Sequence, residues 1–108
     1  MGSNMNYDLN AFVTKDLVEQ KKPIRFMYKE QADNVNDSGW RFFSGDEPQE
    51  YVDNADNIIM CSLHDVINNI DTSIVAHLDA EVGIAFEREN ENDEFLEIKD
   101  YKLDSELE

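Results

Sequence analysis

The sequence predicts an α+β domain, a mostly antiparallel sheet of about five strands with two short helices packed on it. Three observations carry that expectation. Short β-branched and aromatic runs recur along the chain between polar turns. One segment, after Ser62, joins a capping box to a helical apolar period. The chain has 108 residues, room for one core and not for two domains. At that size roughly two-thirds of the unfolded surface is buried, which sustains a core without metals or disulfides. A composition 41% hydrophobic and 10% aromatic agrees with a folded chain.

Taken in order, Ala11-Phe12-Val13 is a short strand. Thr14 then offers an N-cap to a helix over residues 15–22, with Asp16 and Glu19 early, Lys21 and Lys22 late, and Pro23 as its stop. Residues 24–29 form a strand in which Ile24, Phe26 and Tyr28 oppose Arg25, Met27 and Lys29. Residues 31–39 are a polar turn, and residues 40–43 a strand with Trp40 and Phe42 on one face. The turn from Ser44 to Pro48 breaks it. Residues 49–57 read as acidic and irregular, and residues 58–61 as a short apolar strand. The clearest helix follows, with Leu63, Val66, Ile67 and Ile70 at i, i+3, i+4 and i+7. Asp71 or Thr72 caps one more turn holding Ile74, Val75 and Leu78. Residues 82–87 and 95–98 pair as a hairpin across the Asn90–Asp93 turn. Residues 5–100 are the expected domain, residues 1–4 a cloning remnant, and residues 101–108 a frayed, charged tail.

Charge is the dominant bulk property. Nine Lys and Arg stand against 25 Asp and Glu, a formal net charge of −16. The excess is uneven: residues 1–30 sum to +1 and the remainder to −17. A field of that sign repels phosphate backbones and anionic lipid, so nucleic acid and membrane surfaces are not expected partners. It speeds encounter with a basic protein; the simpler alternative is that it only maintains solubility. The longest apolar run, residues 58–61, falls far short of a membrane span. With a single cysteine and no leader pattern, the expected compartment is the cytoplasm.

No arrangement of residues announces catalysis or a cofactor. Cys61 and His64 lie three apart across a strand-to-helix junction, which suits a packed thiol better than a nucleophile with its base. The stretch from Asn34 to Gly39 imitates the start of an EF-hand loop. It lacks Asp at the first position, and its twelfth position is Gly45 where Glu is needed, so no metal site is expected there. One Cys and two His do not make a zinc site. The four glycines are too scattered for a phosphate loop.

What stands out is aromatic and acidic together. Gly39, Trp40, Arg41, Phe42 and Phe43 run into a turn at Gly45 that ends in Asp46 and Glu47. Trp40 and Phe42 read as core. Arg41, Asp46, Glu47, Glu50, Tyr51, Asp53 and Asp56 are the candidate partner-binding residues. Residues 46–56 hold five carboxylates and no Lys or Arg. Such a stretch repels itself and is expected to contribute little to folding, so it reads as a surface for a basic partner, or else as a solvated loop.

The string from Asp37 through Glu47, with Phe26-Met27-Tyr28-Lys29-Glu30 before it, resembles immunity-protein family 33, also known as domain of unknown function 2185. Tyr51, Asp56-Asn57-Ile58, Asp71, Ile74, Leu78-Asp79-Ala80, Gly83 and Ala85-Phe86-Glu87-Arg88 extend the likeness over roughly residues 11–97. The resemblance implies a bacterial, cytoplasmic protein that neutralises the toxin of a polymorphic or contact-dependent system. The net charge of −16 suits a basic protein toxin as its cognate partner, and neither catalysis nor a cofactor is expected. The resemblance assigns no catalytic residues. Gly39, Trp40, Phe42, Gly45, Gly83 and Phe86 are its candidate structural positions, and the motif equally fits the turn chemistry of the fold itself. From a different class, an acidic regulatory or scaffold module of housekeeping physiology fits the same composition.

Overall fold

A strand with apolar side chains on both faces belongs inside a sheet, and the segment Asp37–Phe43 is such a strand. In the computed structural model, which describes residues 6–98, it is β3, flanked by β1 (Asn10–Thr14) in parallel and β2 (Phe26–Lys29) antiparallel. β4 (Ile58–Ser62) edges β1, while β5 (Ala85–Glu87) and β6 (Leu96–Ile98) extend the sheet beyond β2. The six strands run in the order β4-β1-β3-β2-β5-β6, antiparallel at every pair but β1 and β3.

Register assigns each side chain a face. The row Ile59, Val13, Phe42, Met27, Phe86 crosses from β4 to β5 on one side. Every helix that contributes to the core packs there: α1 (Lys15–Glu19) through Leu17, α3 (Leu63–Asn69) through Leu63 and Val66, and the 3-10 helix Thr72–His77 through Ile74. Trp40 is wholly buried in this layer, stacked 5.9 Å from Phe42 and 6.4 Å from Phe86, with its indole N–H donated to the Leu78 carbonyl at 3.2 Å. The opposite row is Met60, Phe12, Arg41, Tyr28, Ala85, and beside it run Phe43, Phe26 and Glu87.

The α+β expectation holds, with six strands where about five were expected and one parallel pair. Two helices were expected. The structure has three short α-helices and two 3-10 segments, because the acidic stretch read as irregular forms α2 (Gln49–Val52) and the 3-10 turn Ala55–Asn57. Pro48 precedes the first of these and the Asn54 side chain caps the second.

The helix expected over residues 15–22 ends at Glu19. Gln20 closes it onto the Asp16 carbonyl and Lys21 takes φ 58°, a left-handed value no helix continues through. Thr14 occupies the N-cap position without capping, since its hydroxyl turns to carboxylates instead. Ile24 drops out of β2 because its N–H is taken by the Asp71 carboxylate. The strand expected over residues 82–87 starts only at Ala85, after a turn where Gly83 takes φ 99° and donates its N–H to the Lys29 carbonyl. The expected N-cap at Ser62 is present, its hydroxyl accepting from the Asp65 N–H. Leu63 and Val66 are buried and Ile67 and Ile70 half-buried on one face of α3, as the apolar period requires, whereas Val75 is 40% exposed. The expectations for residues 1–4 and 101–108 lie outside the described residues.

Leu63 is fully buried between α3 and the sheet. Leu63→Ala should therefore lower the unfolding free energy by about 2–5 kcal/mol in a urea titration, and a change near zero would contradict the packing.

Candidate helix-free face and its acidic rim

The string Asp37-Ser38-Gly39-Trp40-Arg41 works as one device. Between Asn10 and Phe12 of β1, β3 passes from Asp37 to Arg41, so two residues on one strand oppose four on the other. This bulge is made at Gly39, whose φ is 89° and where an added Cβ would stand 2.4 Å from the Glu30 carbonyl oxygen, an approach only glycine allows. The contraction brings the Asp37 carboxylate to the Arg41 guanidinium in a bidentate pair at 2.9 and 3.0 Å, while Glu30 takes the Arg41 Nε–H at 2.5 Å. Burial opposes ionisation of Asp37, but Arg41 and the N–H groups of Asp33 and Gly39 outweigh it and hold its carboxyl at about 2. The same balance raises Arg41: burial disfavours its charge, and Asp37 and Glu30 more than compensate.

The next turn is held from inside. Glu47 accepts the N–H of Ser44 at 2.8 Å and of Gly45 at 3.0 Å, with Gly45 at φ 93°. The Thr14 hydroxyl lies 2.7 Å from both Glu47 Oε2 and Asp16 Oδ1 and donates its single proton to one at a time. Burial disfavours the Asp16 charge, yet Thr14, Lys22 and Ser44 together lower its pKa, with Lys22 Nζ 3.3 Å away. Arg25 crosses the turn, donating to the Ser44 carbonyl at 2.9 Å and pairing with Asp46.

Arg41 and Phe43 open onto the face that no core helix covers. There Phe26, Tyr28 and Phe43 form a triangle with centroids 5.6 to 6.0 Å apart, Tyr28 and Phe43 stacked at 17°. The Arg41 guanidinium lies 4.5 Å over the Phe12 ring. Val52 of α2 and Ile58 wall this floor on one side, enclosing an apolar hollow of about 290 Å³. A shallower hollow of about 560 Å³ adjoins it across Tyr28, Phe43 and Val52, rimmed by Glu47, Glu87 and Glu89. At the sheet's two edges Met60 is 60% and Leu96 67% exposed.

The family model described as the immunity protein Imm33 domain matches residues 11–99. The chain belongs to the Imm33 immunity-protein family. Its role is therefore toxin immunity. No curated protein and no solved structure matches the chain. No helix among the described residues is long and apolar enough to cross a membrane.

Within this Imm33 domain the seven candidate partner-binding residues divide. Glu50, Asp53 and Asp56 are exposed along α2 and the turn after it, Asp53 accepting only from Gln49. Tyr51 is half-buried, and that burial with the nearby Asp16 charge raises its phenol above the usual range. Arg41 lies at the floor of the hollow with its guanidinium committed to Asp37 and Glu30. Asp46 and Glu47 correct the expectation that the acidic stretch contributes little to folding, because Asp46 answers Arg25 and Glu47 organises the turn.

Gly39 and Gly45 hold the two left-handed positions of the motif, Gly83 a third, and Trp40, Phe42 and Phe86 are core. The half-EF-hand stretch works through Asp37, which pairs with Arg41. Cys61 packs against the core beside Ala11, and burial, then the Asp65 charge, pushes its thiol up to about 11, the opposite of nucleophile activation. His64 meets Asp8 and packs edge-on with Tyr7.

Sequence reasoning missed Arg88. Its guanidinium is buried, donates to the Ile24 carbonyl at 2.9 Å and to Asp71 at 2.6 Å, and lies 4.1 Å over Phe95. An arginine shortly after the apolar Ala85-Phe86 pair, just beyond the end of β5, was the available signal. The aromatic triangle was missed because Phe26, Tyr28 and Phe43 are not adjacent in the chain.

Asp37 titrates far below its unfolded value, so its contribution is complete above about pH 4 and lost as pH falls toward 2. Stability should drop by about 2 kcal/mol from this group across that window. Asp37→Asn should remove that part of the acid slope and, by leaving Arg41 underpaired, cost about 3–5 kcal/mol at neutral pH. Equal acid slopes for both proteins in urea titrations would contradict the assignment. Glu47→Ala should cost about 1–3 kcal/mol, while Glu50→Ala should stay within about 0.5 kcal/mol, measured by thermal unfolding. Equal values for the two would refute the division of the acidic stretch.

Proposed function

We propose that this Imm33 protein acts in the bacterial cytoplasm by binding a cognate, basic toxin directly and stoichiometrically, without catalysis and without cofactor. The observation that carries the reading is the acidic rim: Glu50, Asp53 and Asp56 stand exposed on α2 and the turn after it, the segment whose Val52 and Ile58 wall the aromatic floor. Carboxylates held in solvent next to apolar rings contribute little to folding but complement a cationic, partly apolar surface. The excess of negative charge outside residues 1–30 supports the same partner, since it raises the rate of encounter with a basic protein. Non-catalytic action draws support from the chemistry present: the single thiol is pushed toward the protonated form, and the buried carboxylates are paired with cations.

Co-expression with the toxin encoded beside the gene should restore growth, and the two chains should elute as a one-to-one complex from a sizing column. Failure of both rescue and complex formation would reject the proposal. Replacing Glu50, Asp53 and Asp56 together by Ala should slow association by about tenfold at low ionic strength and flatten its salt dependence, with little change in melting temperature.

A further inference from the structure

We propose that the face no core helix among the described residues covers seats a basic segment of the toxin, with one apolar anchor side chain entering the hollow between Phe12, Tyr28, Phe43 and Val52 and a neighbouring Lys or Arg meeting Glu87 and Glu89. This rests on the stoichiometric-binding reading above and specifies what the contact recognises. The two hollows share Tyr28, Phe43 and Val52, so they accept consecutive side chains of one segment. The first is apolar and enclosed by half-buried rings. Its single charged floor residue, Arg41, is already satisfied: Asp37, Glu30 and the Trp40 carbonyl take its N–H groups. Covering that floor leaves no buried charge without a partner, so an apolar anchor gains the full benefit of desolvation.

The rim fixes the sign of the partner. Three arginines approach this face, and each is neutralised within the fold: Arg25 by Asp46, Arg41 by Asp37 and Glu30, Arg88 by Asp71. Glu87 and Glu89 are exposed and have no ion-pair partner among the described residues. Glu87 stands in the same cross-strand row as Phe26 and Phe43, so its carboxylate borders the rings directly. An apolar centre with an anionic border matches an anchor flanked by cations. A second copy of this chain fits poorly, because it would bring the same carboxylate rim and a formal charge of −16 to the contact. A small ligand fits poorly too, since Arg41, the charged group at the apolar hollow's floor, is already committed to Asp37 and Glu30 and is not free to orient it.

The test uses the full chain and a catalytically inactivated form of the toxin encoded beside the gene, with binding followed by surface plasmon resonance at low and high salt. Val52→Asp puts a carboxylate into the wall of the apolar hollow at a half-exposed helix position, and should weaken binding by about 30-fold or more. Val52→Ala provides a milder variant should the first not fold, with an expected loss of several-fold. Glu87→Lys combined with Glu89→Lys should slow association about tenfold at low salt, a difference that shrinks at high salt. Unchanged melting temperatures confirm that each variant is folded. Wild-type binding that persists undiminished in all these variants would overturn the inference and leave the immunity reading intact, whereas a wild-type protein that does not bind the toxin removes both. Self-association lost in Val52→Asp with toxin affinity unchanged would also overturn it, in favour of a second copy.

Discussion

Arg41 carries a full positive charge into the middle of a six-stranded sheet, where only 4% of the residue is exposed. A lone guanidinium at such depth would be strongly destabilising. The fold meets it with the bidentate Asp37 carboxylate, with Glu30, and with the Phe12 ring. Asp37 reaches Arg41 because β3 bulges at Gly39, and the bulge in turn sets the register in which Trp40 and Phe42 face the helices. One ion pair therefore governs strand register, core composition and the character of the opposite face. Replacing it by apolar residues could be neutral for stability; what it supplies is a single register for the strand that pairs with both β1 and β2.

The same strand separates two surfaces of different character. Its helix side is filled by Leu17, Leu63, Val66 and Ile74. Its other side keeps Phe43 among Phe26 and Tyr28, where a short ridge of α2 contributes Val52 and no helix among the described residues closes over the rings. Apolar rings left half-covered beside exposed carboxylates are an arrangement that folding alone does not require. In an Imm33 protein, whose role is toxin immunity, the docking face proposed above would account for them.

Much of this was legible in the sequence. The capping box at Ser62 and the period of Leu63, Val66 and Ile67 located α3, because both signals are local. Each strand could be located from its own composition, but β3 begins at Asp37, three residues inside the stretch expected to be a polar turn, and where β5 begins depends on Gly83 and its bond to Lys29 across the sheet. Strand order could not be read, and neither could the parallel partnership of β1 with β3, since such pairing is settled by contacts distant in sequence. The helix α2 was invisible: Gln49, Glu50, Tyr51 and Val52 complete barely one turn and carry no apolar period. Asp46 and Glu47 look like members of one like-charged stretch until the fold bonds Arg25, Thr14 and two backbone N–H groups to them. Charge runs in a sequence do not distinguish carboxylates that build turns from carboxylates that stay in solvent.

Mapping hydrogen exchange on the immunity protein, free and in complex with inactivated toxin, is the most direct test of the division between a packed face and a docking face. Added protection is expected along β2, the second half of β3 and α2, around Tyr28, Phe43 and Val52, with α3 unchanged. Protection confined to α1 and α3, with the aromatic face exchanging as in the free protein, would contradict that division.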